Sequence, residues 1–380
     1  MKVNLPLKEH TCILCGREDS AISQILHLCS NCIHHRPEEA IPHIQKAHQI
    51  SRRLCNLPQT PPKTEGGIPC NICSNHCIIG EGERGFCGLR ENVDDQLETL
   101  TTPNQGIIQT YPDPHPTNCC AAWFCPGGTG LGYPIYAKTS TTEIGYANYA
   151  VFFYGCNFNC LFCQNSSHKD LHHQPPTTVQ QFTNTVTANS NYTCICHFGG
   201  PPEPQLPFAL NASRCALESN PNRVLRICFE WNGCGNPTLV RRTAELAYES
   251  GGNLKFDLKA FDPTLSLALS GVPNRQAYEN FRMMAEEFYE RRREVPVLTA
   301  TTILVPGYVD HEEVGHIARF IATLNKHIPY SLLIFHPAYQ MRDLPVTPTS
   351  QLRLCYQAAK KHLNRVNIGN LNLLETQPPT

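Results

Sequence analysis

From residue 148 onward the chain alternates between two kinds of pattern. Short runs rich in β-branched and aromatic residues stand at 149–154, 193–198, 223–229, 253–258, 297–304 and 331–335. Between and after them, apolar positions recur every three or four residues at 177–189, 205–218, 237–250, 274–291, 311–326 and 349–363. The first set has the length and composition of strands, the second the period of amphipathic helices. Regular strand–helix alternation predicts parallel strands joined by right-handed crossovers. Six such units predict an α/β fold built on an incomplete (β/α)6 parallel barrel, with functional residues gathered at the carboxyl ends of its strands. The segment VNIGNLN at 366–372 reads as a final edge element.

The amino-terminal part lacks this rhythm. Ile41, Ile44, Ala47, Ile50 and Leu54 mark one amphipathic helix over 36–54. Prolines and glycines at 58–67 forbid helix and strand and make a linker. Residues 101–147, rich in Pro, Gly and Thr, predict a long ordered loop wrapping the core. The expected organisation is a four-cysteine unit plus helix (1–57), a Cys-rich wrapping region (58–147), the barrel core (148–345) and a carboxyl-terminal helix and tail (346–380).

Charge narrows the function. With 31 basic and 32 acidic residues the net charge is −1, so there is no basic footprint for nucleic acid. No apolar run approaches the length of a membrane span, and the polar start MKVNLPLKEH is unlike a signal peptide. A cytoplasmic location is expected. There, 21 cysteines are poor candidates for disulfides and good ones for metal ligands. Among the 17 histidines, His34, His35, His172 and His173 sit in polar surroundings and should face solvent.

The cysteines come in groups. Cys12-x2-Cys15 and Cys29-x2-Cys32 are paired knuckles with the spacing of a four-cysteine structural zinc site, preferred over a rubredoxin-like iron. So short a segment has no core of its own, and metal must supply its folding energy. Cys70, Cys73, Cys77 and Cys87 form a second set of four among turn-forming glycines; zinc and an auxiliary iron–sulfur cluster both fit it. Cys119, Cys120 and Cys125 either add ligands to such a cluster or are simply buried. The last group, Cys156-x3-Cys160-x2-Cys163, follows the first barrel strand after a breaking Gly155. Three thiolates at this spacing can wrap one corner of a [4Fe–4S] cubane and leave one iron open to a ligand that is not protein.

Cys156, Cys160 and Cys163, with the aromatic Phe162, resemble the cluster loop of the radical S-adenosylmethionine (SAM) superfamily. The resemblance runs over about 60–375 and extends to the strand ends. Gly199-Gly200 is similar to the glycine segment that meets the SAM amino group, although Pro201 replaces its acidic position and Glu203 follows two residues later. Glu230 and Asn232 stand where ribose-binding residues stand. Asp257-Leu258-Lys259 and the Gly-Val-x-Asn that follows resemble pyruvate formate-lyase activating enzymes, as Cys70–Cys87 resembles the related AmmeMemoRadiSam group. By that match Lys259 pairs with the SAM carboxylate, Asp257 lies near the methionine portion, and His336 packs at the adenosine end.

The resemblance implies a radical SAM oxidoreductase. Its cluster reductively cleaves SAM to a 5′-deoxyadenosyl radical that abstracts hydrogen from a substrate, with a flavodoxin or ferredoxin as reductant. An activase acting on a glycyl radical enzyme is the leading expectation, with a protein as substrate. The alternative is modification of a small molecule, peptide or RNA, with the zinc unit as docking module.

Overall fold

A computed structural model describes residues 8–171 and 174–374; His172, His173 and the end of the expected tail, 375–380, lie outside them. Eight strands form the central sheet: β1 (Ile108–Pro114), β2 (Ala147–Phe153), β3 (Tyr192–His197), β4 (Arg226–Trp231), β5 (Leu254–Asp257), β6 (Leu298–Leu304), β7 (Tyr330–Ile334) and β8 (Val366–Gly369). They lie side by side in chain order. β2 to β8 are parallel, and β1 is antiparallel to β2. Because β1 and β8 remain edges, the barrel is incomplete.

Among the described residues the helices of eight residues or more are α1 (Pro37–Arg53), ahead of the sheet, then α2 (Val179–Ala188), α3 (Leu206–Glu218), α4 (Pro237–Ser250), α5 (Pro263–Ser270), α6 (Arg275–Met284), α7 (His311–Leu324) and α8 (Thr349–Lys360). Local chemistry starts and stops them. Thr178 and Gln181 close a reciprocal capping box on α2. Asp310 accepts from two backbone amides at the start of α7. Asp262 caps α5, Pro263 occupies its first turn, and Gly271 ends it at φ +74°.

Three expectations needed revision. The stretch 101–147 is not wholly a loop, since Ile108–Pro114 forms the edge strand β1. Pro112 and Pro114 hid it from the sequence pattern, yet an edge strand tolerates proline because one side needs no ladder bonds. The helix expected over 274–291 is α6, followed by a π-turn at Ala285–Tyr289 and a 3-10 turn at Glu290–Arg292. Helix α5 lies in a segment where no separate helix was expected.

The appendages are fixed to the barrel by buried polar contacts. Tyr308, after β6, accepts from the Ser23 amide (2.9 Å) and donates to the Leu28 carbonyl (2.8 Å). This holds the amino-terminal unit against the carboxyl edge of the strands. At the opposite end, Arg226 donates two parallel bonds to Glu143 (2.8 and 2.7 Å), and both side chains are buried. That pair pins the wrapping segment to the barrel floor. Among the described residues no helix is long and apolar enough to cross a membrane.

Candidate active site

The loop after β2 is built by the elements around it. Gly155 turns the chain at φ +78°, where a Cβ would lie 2.7 Å from Leu89 and 2.9 Å from the Cys87 carbonyl. Helix α5 ends with carbonyls that have no intrahelical partner. The loop supplies them: Asn159 N–H donates to Ser270 (2.8 Å) and Leu161 N–H to Leu269 (3.0 Å). Ser270 Oγ also lies 3.4 Å from Cys160 Sγ.

Between the cysteines, Asn157 and Asn159 are fully buried. Asn75 donates to the Asn157 carbonyl (2.7 Å), and Asn157 exchanges side-chain bonds with Asn232 (2.8 and 3.3 Å). Asn159 accepts from Lys169 (2.7 Å) and donates to His48 Nδ1 (2.8 Å), while His48 Nε2 lies 3.1 Å from the Ala268 carbonyl. These partners define a neutral imidazole with its proton on Nε2. Burial agrees, holding the His48 pKa down at about 4.

Cys156, Cys160 and Cys163 line one cavity of about 210 Å3. Phe162, Gly199, Gly200, Glu230, Asn232, Asp257 and Lys259 line it too, so nearly all the residues expected around the cofactor converge. His336 does not: it is exposed just beyond β7. Phe335 is buried instead, with its ring 6.3 Å from Phe162. Leaving the strand, the chain turns the histidine outward.

Several residues have different partners from those expected. Lys259 is ion-paired with Asp257, and its ammonium stands over the Phe162 ring. Burial opposes its charge, but Asp257 and the nearby Cys160 and Cys163 outweigh that, and its pKa is raised. Asn232 spends its oxygen on Asn157 and the Cys234 amide, leaving one N–H free. Gly199 and Gly200 face protein: a Cβ would fall 2.0 Å from the Phe152 ring and 1.8 Å from the Phe153 carbonyl. Their positive φ values, +64° and +54°, make glycine necessary twice over. Glu203 is fully buried and accepts from the Gly233 amide (2.7 Å), tying the loop after β3 to the loop after β4. Burial pushes its carboxyl up to about 7.

Sequence reasoning missed His168 and Thr301 in the cavity wall. His168 Nε2 lies 3.6 Å from Cys163 Sγ. Its position five residues beyond Cys163 was the available signal; Thr301 offered only its place near the end of a strand.

Among the described residues, two sets of metal-ligand atoms lie within 4.8 Å of one another. One is Cys12, Cys15, Cys29 and Cys32; the other is Cys119, Cys120 and Glu230. Cys70, Cys73, Cys77 and Cys87 instead line a separate small cavity beside Arg90. Cys125 faces a larger cavity of about 370 Å3 inside the barrel, with Cys119 and Cys120.

The loop cavity fits a cluster with an open iron and a polar, zwitterionic cofactor. Its donor set is three thiols rather than four. Asp257 Oδ1, Thr301 Oγ1 and His168 Nδ1 are buried without a partner on residues of its wall; such atoms normally find one.

Residues 150–321 match the Radical SAM superfamily. An uncharacterized protein of Methanocaldococcus jannaschii is 25% identical over 331 residues, covering 80% of this chain and 81% of its own length. The isethionate sulfite-lyase activating enzyme of Desulfovibrio desulfuricans is 34% identical over 140 residues, covering 36% of this chain and 40% of that relative. Among solved structures, a domain of a pyruvate-formate lyase-activating enzyme from Bacteroides vulgatus has a TM-score of 0.37 at 19% identity, covering 46% of this chain and 98% of its own. Streptococcus suis SuiB bound to S-adenosylmethionine has a TM-score of 0.43 at 13% identity, covering 59% and 50%.

Proposed function

Starting from a radical SAM superfamily domain at residues 150–321, we propose that this protein is an enzyme that holds a [4Fe–4S] cluster on Cys156, Cys160 and Cys163 and binds SAM beside it. When bound, the reduced cluster supplies one electron to SAM, giving methionine and a 5′-deoxyadenosyl radical that takes a hydrogen atom from the substrate. The observation that carries this reading is the shared cavity of three loop thiols with Lys259, Asp257 and Glu230.

The chain's own residues bind, orient and enclose. Lys259 is a buried cation for the SAM carboxylate, and that contact must compete with Asp257. Asp257 keeps one oxygen free for the cationic part of the cofactor. Asn232 has an N–H, and Glu230 a carboxylate, for the ribose hydroxyls. Phe158, Phe162 and Trp231 give the cavity apolar wall that excludes water. His336, exposed, has no part in this assignment.

For the substrate, the similarity to an activating enzyme supports a partner protein, with an electron carrier of the flavodoxin or ferredoxin type as reductant. A small-molecule substrate is the second reading, and it requires the cavity of about 370 Å3 inside the barrel to be free of any metal centre.

The test is anaerobic reconstitution with iron and sulfide, followed by dithionite and SAM. The expected result is 5′-deoxyadenosine from the native chain and none from Cys160→Ala. A native chain that holds its cluster and SAM yet forms no deoxyadenosine with or without substrate would reject the reading. Deuterium transfer from a labelled partner protein or small molecule into deoxyadenosine then decides between the substrates.

A further inference from the structure

The interior of a parallel barrel is normally filled by branched aliphatic side chains. Here a cavity of about 370 Å3 has six thiols in its lining: Cys119, Cys120, Cys125, Cys194, Cys196 and Cys228. They come from two unrelated parts of the chain. Cys194 and Cys196 alternate along β3, and Cys228 stands beside Cys196 in register on β4. Cys119, Cys120 and Cys125 descend from the wrapping segment, outside the parallel strands. Buried cysteine often serves as a small apolar side chain, but these six surround a space rather than fill one.

Four of them lie at ligand spacing, in two groups. Cys194 and Cys228 have sulfurs 3.6 Å apart. Cys119 and Cys120 lie with Glu230 inside a 4.8 Å set. The Lys255 ammonium, only 2% exposed, is 3.1 Å from Cys119 Sγ, 3.0 Å from Cys196 Sγ and 3.5 Å from Glu230. A buried ammonium needs negative partners, and the groups around it are largely sulfur. Glu230 also lines the loop cavity, so the two spaces meet at this residue.

We propose that the barrel interior holds a second, thiolate-ligated metal centre, an iron–sulfur cluster, drawn from Cys119, Cys120, Cys125, Cys194, Cys196 and Cys228. Lys255 offsets the negative charge of its thiolate shell. Hydrogen bonds and charge at the sulfurs are what set the potential of such centres. None of these ligands belongs to the loop of Cys156, Cys160 and Cys163, so the centre persists when that loop is disabled.

The experiment uses the full chain carrying Cys156→Ala, Cys160→Ala and Cys163→Ala, reconstituted anaerobically with iron and sulfide or, separately, with zinc alone. It is compared with the same chain also carrying Cys196→Ser and Cys228→Ser. Iron and sulfide that fall together by the content of one cluster in the second protein support the proposal. Loss of about one zinc per chain instead keeps the thiolate centre and replaces the cluster with a single ion. Unchanged iron, sulfide and zinc overturn it. If the second protein does not fold, differential alkylation of the first gives the same decision. Peptide mapping should find Cys119 and Cys196 protected at least tenfold after metal loading relative to the chelator-stripped chain, and equal labelling overturns the proposal. Neither readout depends on SAM cleavage.

Discussion

The amino-terminal cysteines and the loop cysteines are the same side chain under opposite architectures. Cys12, Cys15, Cys29 and Cys32 draw four sulfurs within 4.8 Å of one another, which suits a closed, structural tetrahedral ion. Cys156, Cys160 and Cys163 bring three to the wall of a cavity. The closed set can be organised by its own metal. The open one is held from outside, by His48, Asn75, Asn232 and the carbonyl end of α5. An incomplete ligand set needs a braced loop, because the metal alone does not fix its geometry.

The sharpest break of this comparison is Cys160→Ala. SAM cleavage should fall below detection by deoxyadenosine assay, while zinc at the amino terminus is unchanged; cleavage that survives would remove the loop from the site. Next comes Cys29→Ser, which should release about one zinc per chain and lower the melting temperature. Its iron content should remain that of the native chain, and a joint loss of both metals would mean the two regions are one folding unit.

Lys259→Met should leave the cluster spectrum intact and weaken SAM binding roughly 10- to 100-fold, the equivalent of one charge-assisted contact. Equal affinity by equilibrium dialysis would exclude Lys259 from the cofactor site. The smallest effect should come from the brace. His48→Ala removes a buried bond to Asn159 and should cost about 1–3 kcal/mol, read as faster iron loss to a chelator with zinc retention unaltered. Because burial lowers the His48 pKa from 6.5 to about 4, the unfolded chain takes up the proton first. Its contribution is therefore present at neutral pH and declines as pH falls below 6.5. Thermal melts at descending pH should show a shallower decline in His48→Ala than in the native chain, because buried His115, His168 and His197, whose pKa values are also held down, still contribute.

Much of the barrel was legible because parallel strands buried on both faces are continuous apolar runs, and helices announce their caps. The six strands from β2 to β7 fall within three residues of where the pattern placed them. Edge strand β1 was not legible, since its prolines and polar residues carry no core signal. Spacing and position at strand ends singled out Cys156, Cys160, Cys163, Asp257 and Lys259, which line one cavity. His168 and Thr301 were not singled out, because their importance lies in which wall they face. His336 misled for the converse reason: a residue at a strand end can point either way.

Sequence alone determined the alternation of β2 to β7 with most of their helices, the grouping of cysteines and the three-thiol loop, because these depend on spacing along the chain. Only the tertiary structure decided which thiols share a space. Cys119 and Cys196 are distant in sequence, yet both lie within about 3 Å of the Lys255 ammonium. Cys70 to Cys87, though close in sequence, stay in a separate small cavity. The inward face of a strand is set by its register with neighbours, and no local pattern of polar residues reveals what will meet across the lumen.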